Sequence, residues 1–204
     1  VPNNQLLPLP PVPEGLSKPL PAAPVDAPWL LLIGGDGAGY RYSEADWRAL
    51  AAAVNRLGQE RGVRWLLTTS RRTGTAAEAL LQRLLDPTLL VEAVYYGQTP
   101  RPVVRDFLAR CSGVWVSEDS LTMVAEAIYS GRPVRSLRPQ TFYPEANDAL
   151  ALAGYAERGL LVRSALADLL KEELTGRPAA GDVPDVQLLI WESVQPLLPS
   201  GRLQ

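Results

Sequence analysis

The chain contains no histidine. That absence removes, within these residues, the Ser-His-Asp triad, the Cys-His dyad, the HExxH zinc motif and every imidazole proton shuttle. Cys111 is the single cysteine, so no internal disulfide can form, and a reducing, cytoplasmic compartment is the expectation. A dominant charge sign is also lacking. The 20 basic side chains stand against 22 acidic ones, for a formal net charge of -2. A balance so close to neutral speaks against nucleic acid as a partner. Long hydrophobic runs are missing too. Runs such as Trp29 to Ile33 fall far short of the roughly 20 residues that cross a bilayer, so no transmembrane segment is expected and any membrane association would be peripheral. The opening residues Val1-Pro2-Asn3-Asn4 have neither a basic n-region nor an apolar h-region, so they do not read as a signal peptide. Without an initiator methionine they read as the start of a processed chain or of a piece of a longer one.

What is present is ordinary globular material. The 204 residues are 47% hydrophobic and 21% charged, enough for one domain with a substantial core. Nine of the 19 prolines fall within residues 1–28, a density that forbids helix and interior strand. Residues 1–28 therefore read as a Pro-rich linker or arm, and residues 29–204 as the folded domain.

From Trp29 the texture changes. Trp29-Leu-Leu-Leu-Ile33 is an apolar run closed by glycines, as in a strand buried on both faces. Ser43-Glu44-Ala45-Asp46 resembles a capping box, and Trp47, Leu50, Val54 and Leu57 follow at helical spacing up to Gly62. The alternation continues: a strand over 64–69, a helix over 75–85, a strand over 90–95, a helix over 102–110, a strand over 113–117, a helix over 120–130 and a fifth strand over 133–137. Leu-rich helices are expected near 164–174 and 184–195. Strands alternating with helices imply an α/β fold, a Rossmann-like parallel sheet with helices on both faces.

Ligands of such sheets bind beyond the carboxyl ends of the strands. Three loops there carry candidate residues. In Gly34-Gly35-Asp36-Gly37-Ala38-Gly39-Tyr40, the glycines Gly34, Gly35 and Gly37 let the backbone approach a ligand, and the amides can cradle an anion. The loop is neither a Walker A motif nor GxGxxG in register, and a plain strand-to-helix turn remains open. In Thr68-Thr69-Ser70-Arg71-Arg72-Thr73, Ser70, Arg71 and Arg72 suit phosphate oxygens, as they equally suit a solvated basic loop. The arginines stand where an NAD site would place an acid, which leaves NADP open.

The third loop is Ser117-Glu118-Asp119-Ser120, leading into a helix whose apolar stripe is Leu121, Val124, Ala125 and Ile128. Asp119, Ser120, Thr122, Met123 and Glu126 then fall at its anion-attracting start and along another face. Glu126 is placed to accept hydrogen bonds from a ribose diol, or is simply a solvated glutamate. Cys111 reads as a small buried residue, and Trp47, Trp65 and Trp115 as core. No metal-ligand spacing occurs, so no metal is expected.

Taken together, Gly34-Gly35, Thr68 to Thr73, Ser117 to Ser120, Met123-Val124-Ala125-Glu126-Ala127 and Gly131-Arg132-Pro133-Val134 resemble the Elm-type mitochondrial fission family (Elongated Mitochondria), which has bacterial homologues. The resemblance covers residues 29–140. That family is in turn similar to the C-terminal, nucleotide-sugar-binding half of GT-B glycosyltransferases of the MurG type. The resemblance implies that Glu126 holds the donor ribose and that Ser120 to Met123 line the diphosphate and sugar. It implies a nucleoside-diphosphate sugar as donor substrate, with no cofactor. It also implies an N-terminal acceptor half, beyond this chain, that commonly supplies the catalytic base. On that reading these residues alone bind rather than turn over. Two other readings stand beside it: a non-catalytic module that keeps the fold to recruit a protein partner, and an NADP-dependent oxidoreductase.

Overall fold

The computed structural model describes residue 20 and residues 26–171. Six strands build one parallel sheet: β1 Trp29–Ile33, β3 Trp65–Thr69, β4 Leu90–Val94, β5 Gly113–Ser117, β6 Val134–Arg138 and β8 Val162–Ala165. Their order is β4-β3-β1-β5-β6-β8, and every neighbouring pair is parallel. This is the doubly wound Rossmann arrangement, with its reversal of direction between β1 and β5. The connecting helices are α1 Glu44–Arg61, α2 Gly74–Leu84, α3 Val104–Arg110, α4 Leu121–Tyr129 and α5 Ala146–Glu157. Right-handed crossovers put α1 and α2 on one face and α3 and α4 on the other, and α1 packs against α2.

The sheet is held by its apolar runs. β3 and β5 are buried along their whole length, as is β1 after its first residue. Trp29 and Trp65, at the amino ends of β1 and β3, meet Trp115 from the middle of β5 edge to face, with ring centroids 5.2 to 6.3 Å apart. Trp47 is buried as well, stacked on Tyr42 at 4.8 Å. All three tryptophans expected in the core are there, and Cys111 is fully buried.

The expected capping box forms. Ser43 Oγ accepts from the Asp46 amide at 3.2 Å, and Asp46 Oδ2 accepts from the Ser43 amide at 2.9 Å. Asp46 is wholly buried because its other oxygen accepts from the Gln140 amide at 3.1 Å, which ties the start of α1 to the end of β6. Gly62 ends the helix in the left-handed conformation, φ 69°.

The carboxyl side of the sheet departs from expectation in three places. Where a helix is expected near 164–174, residues up to 171 instead form the end of the edge strand β8 and a 3-10 turn over Leu166–Asp168, and residues 172–174 lie outside the described residues. The leucine spacing that suggests a helix is used by this turn, which buries Leu166 and Leu169 against the core. The sheet thus gains a sixth strand. Helix α5 was not anticipated; Leu152 and Tyr155 anchor it. The glycine loop also contains a hairpin. Gly37 and Tyr40 exchange backbone hydrogen bonds of 3.1 and 2.8 Å across Ala38 and Gly39, both with positive φ. It leads into β2, Tyr40–Arg41, which pairs antiparallel with β7, Thr141–Phe142. The helix expected near 184–195, like most of the Pro-rich arm, lies outside the described residues. Among the described residues no helix is long and apolar enough to cross a membrane.

Candidate functional site

The site lies at the reversal point, where β1 and β5 end side by side. Ser117, the last residue of β5, accepts a hydrogen bond from the Gly34 amide at 2.6 Å through its hydroxyl. The first turn of α2 is pinned to the same point. Thr73 Oγ1 lies 2.5 Å from the Gly34 carbonyl, to which it donates, and accepts from the Ser70 amide at 3.0 Å. Three strand-end loops are therefore cross-linked before any ligand arrives.

Two of the glycines are explained by this packing. A Cβ on Gly34 would lie 2.2 Å from Asp119 Oδ1, and one on Gly35 would lie 2.1 Å from the Arg72 carbonyl oxygen. Neither position has room for a side chain. A Cβ on Gly37 would stand 3.0 Å from Arg72 Nη1, so the guanidinium lies along the glycine loop.

Asp119 is the buried acid of the site. Its side chain is 0% exposed, and Arg72, 39% exposed, approaches it at 2.9 Å. That approach is an ion pair without the alignment of a hydrogen bond, and neither carboxylate oxygen has a well-formed partner among the described residues. Burial pushes the Asp119 carboxyl above its ordinary range, while the Ser117 hydroxyl, the Gly35 amide and Arg72 oppose the rise. Ser120 caps α4, its hydroxyl accepting from the Met123 amide at 3.4 Å. The positive end of the helix dipole therefore adjoins Asp119, and α4 itself carries no acid in its first turn.

The structure thus brings together Gly34, Gly35, Gly37, Arg72, Asp119 and Ser120. Ser70 plays a supporting part, its hydroxyl accepting from the Arg72 amide at 3.1 Å. Arg71 is exposed and has no ion pair among the described residues. Thr122 is exposed, and Met123 is half-buried against the core. Glu126 is half-buried further along α4, and burial raises its carboxyl pKa. An open cleft of about 460 Å³ adjoins Arg72 and Thr73 between α1 and α2, floored by Trp47, Ala77 and Leu80.

Sequence reasoning did not single out Thr73, Glu118 or Arg163. Glu118 is buried beside Asp119 and fully committed. It accepts two hydrogen bonds from Arg163 and one from Ser136. Only a pairing across 45 residues would have exposed that role. Among the described residues no group of three His, Cys, Asp or Glu side chains could hold a metal ion.

Residues 18–151 match the family described as Mitochondrial fission ELM1. The chain belongs to that family. No curated relative matches it in sequence. The fold is found in solved structures, among them CalG4, the calicheamicin glycosyltransferase, with a TM-score of 0.53 and 20% identity over 83% of this chain. Another is MnaA from S. aureus, solved with UDP, with a TM-score of 0.51 and 17% identity over 82% of this chain. The ELM1-family chain spans 39% of the length of each. The likeness to both is one of fold, a Rossmann-like α/β sheet that matches part of each larger protein.

Proposed function

We propose that this chain is the donor-binding half of a GT-B glycosyltransferase-like protein, with a nucleoside diphosphate or its sugar as ligand. The observation that carries the reading is the convergence at the reversal point. The glycine-loop backbone, the Arg72 guanidinium and the amino end of α4 meet at Asp119. A helix amino end and a guanidinium are both suited to the charge of a diphosphate. Arg71, next to Arg72 in sequence and exposed, is available to pair with a phosphate. Glu126, on the same helix, is assigned the ribose hydroxyls. The acceptor and the catalytic base belong to an amino-terminal half beyond this chain, so binding rather than turnover is expected of it alone.

A second reading is a recruitment module that keeps the fold. It is favoured by Tyr143, 83% exposed just after β7, and by Leu150, 54% exposed on α5. A thermal-shift series with UDP, GDP, CDP, ADP, their common sugars and NADPH separates the readings. A ligand at 100 times its dissociation constant stabilises by about 2.7 kcal/mol, a shift of roughly 5–11 °C at this size. A shift with one nucleoside diphosphate that Arg71→Ala and Glu126→Ala weaken supports the donor site. A shift with NADPH alone favours the oxidoreductase. No shift with any of them, together with capture of a defined protein partner that Tyr143→Ser abolishes, favours the recruitment module.

A further inference from the structure

Asp119 is not explained by an anion site alone. A carboxylate has the wrong charge for a phosphate pocket, and this one is fully buried at the amino end of α4. Neither of its oxygens has an aligned hydrogen bond among the described residues. Its one ion-pair partner there is Arg72, which is part-exposed and also lies along Gly37. An anion entering between the glycine loop and α4 would therefore compete with Asp119 for a single guanidinium.

Resting on the donor-site reading, we propose that Arg72 is a ligand-operated gate over Asp119: an incoming diphosphate draws the guanidinium onto itself, and Asp119, left buried without a cation, takes up one proton from solvent. One O–H bond forms at the Asp119 carboxyl as the same proton leaves hydronium or a buffer acid, and no other covalent bond changes. The ligand gains a charge-assisted contact, and the acid is neutralised rather than stranded.

The surroundings leave Asp119 little alternative. From β5, Ser117 accepts from the Gly34 amide and keeps its own proton to offer Asp119, a neutral partner that offsets burial only in part. Tyr42, following β2, carries a phenol whose pKa burial holds well above its usual value, so it contributes no charge near neutral pH. Glu118 is next in sequence and commits its charge to Arg163. The remaining positive influences are the Gly35 amide and the α4 dipole, which the entering diphosphate also uses. Burial already raises the carboxyl pKa with Arg72 in place. Removing that cation and adding a like charge both push further in the same direction.

Binding should therefore consume protons and weaken as pH rises, by about tenfold for each unit that the ligand adds to the Asp119 pKa. The test is titration calorimetry of the full chain, at pH 7, in buffers of different ionisation enthalpy. The ligand is whichever nucleoside diphosphate gives the thermal shift. Wild type is expected to take up as much as one proton more than Asp119→Asn. At pH 8 Asp119→Asn is expected to bind more tightly than wild type, because it mimics the protonated acid. A merely structural carboxylate would give the opposite order. Equal proton uptake by the two proteins, with the nucleotide still bound, overturns the gate and leaves the donor site standing. Absence of any nucleoside diphosphate binding overturns both. The free protein offers an independent arm. Arg72→Gln should move the carbon-13 titration midpoint of the Asp119 carboxyl up by about one unit or more. An unmoved midpoint overturns the proposal.

Discussion

Arg163, on the edge strand β8, grips Glu118 with two nearly parallel hydrogen bonds, Nε at 2.9 Å and Nη2 at 2.7 Å. The pair joins the last strand of the sheet to the end of β5 and fixes the residue immediately before Asp119. Ser136 on β6, between them, adds a third hydrogen bond to the same carboxylate at 2.7 Å. Glu118 is 0% exposed, so removing Arg163 strands a buried charge. Arg163→Ala should lower unfolding stability by about 3 kcal/mol, at the low end of the range for such pairs because Arg163 keeps some solvent contact. Urea denaturation reads this directly. The double variant Glu118→Gln with Arg163→Met should recover part of the loss, since no charge is then left behind.

The glycine loop makes a graded prediction. Gly35→Ala drives a methyl into the Arg72 carbonyl, which is backbone and cannot yield cheaply. Gly34→Ala drives one into the Asp119 carboxylate. Each should cost about 1–3 kcal/mol of stability. Gly37→Ala meets a guanidinium instead, and that side chain can move. It should leave the urea midpoint nearly unchanged while altering nucleotide affinity through Arg72. A Gly37→Ala protein as unstable as Gly35→Ala would contradict this account of the loop.

These contacts mark what the sequence could and could not disclose. The apolar run from Trp29 to Ile33 and the Ser43–Asp46 cap are local features, and both form as read. Val162-Arg-Ser-Ala165 is different. As an edge strand it pairs only with β6, and it buries a serine while sending an arginine to Glu118. No alternating apolar pattern announces such a strand, and the leucines after it imitate a helix. Within the site, Arg72 and Asp119 were legible because each follows a strand end. That they face one another was not, because their meeting depends on β3 and β5 flanking β1 in the sheet. The glycines were read as room for a ligand, whereas the space at Gly34 and Gly35 is filled by the protein itself.

Thr73 is the smallest group on which the site's shape depends. Its hydroxyl serves the Gly34 carbonyl and the Ser70 amide together, linking the β1 loop to the start of α2. Thr73→Val keeps the volume and strands both groups. A loss of about 1–3 kcal/mol in stability is expected. Nucleotide affinity should fall by more than it does in Thr122→Val, an exposed position on α4. Comparison of the two variants by thermal shift, with and without ligand, checks both parts.

Cys111 gives the protein a readable response at alkaline pH. The thiol is fully buried, and burial raises its pKa from 9.0 to about 11, with Arg132 pulling weakly the other way. In the unfolded chain the thiol ionises near its ordinary value, so the folded state holds the proton more tightly. The stabilisation is fully present below pH 9, declines as pH rises toward 11, and is lost above it. Its size is at most about 2–3 kcal/mol. Cys111→Ala should lose a constant amount of packing energy at every pH but show a shallower decline between pH 9 and 11. Native protein at pH 8 should resist a thiol-specific disulfide reagent over minutes and react at once in concentrated urea. Rapid reaction of the folded protein at pH 8 would show that the thiol is open to solvent and that the alkaline decline has another source.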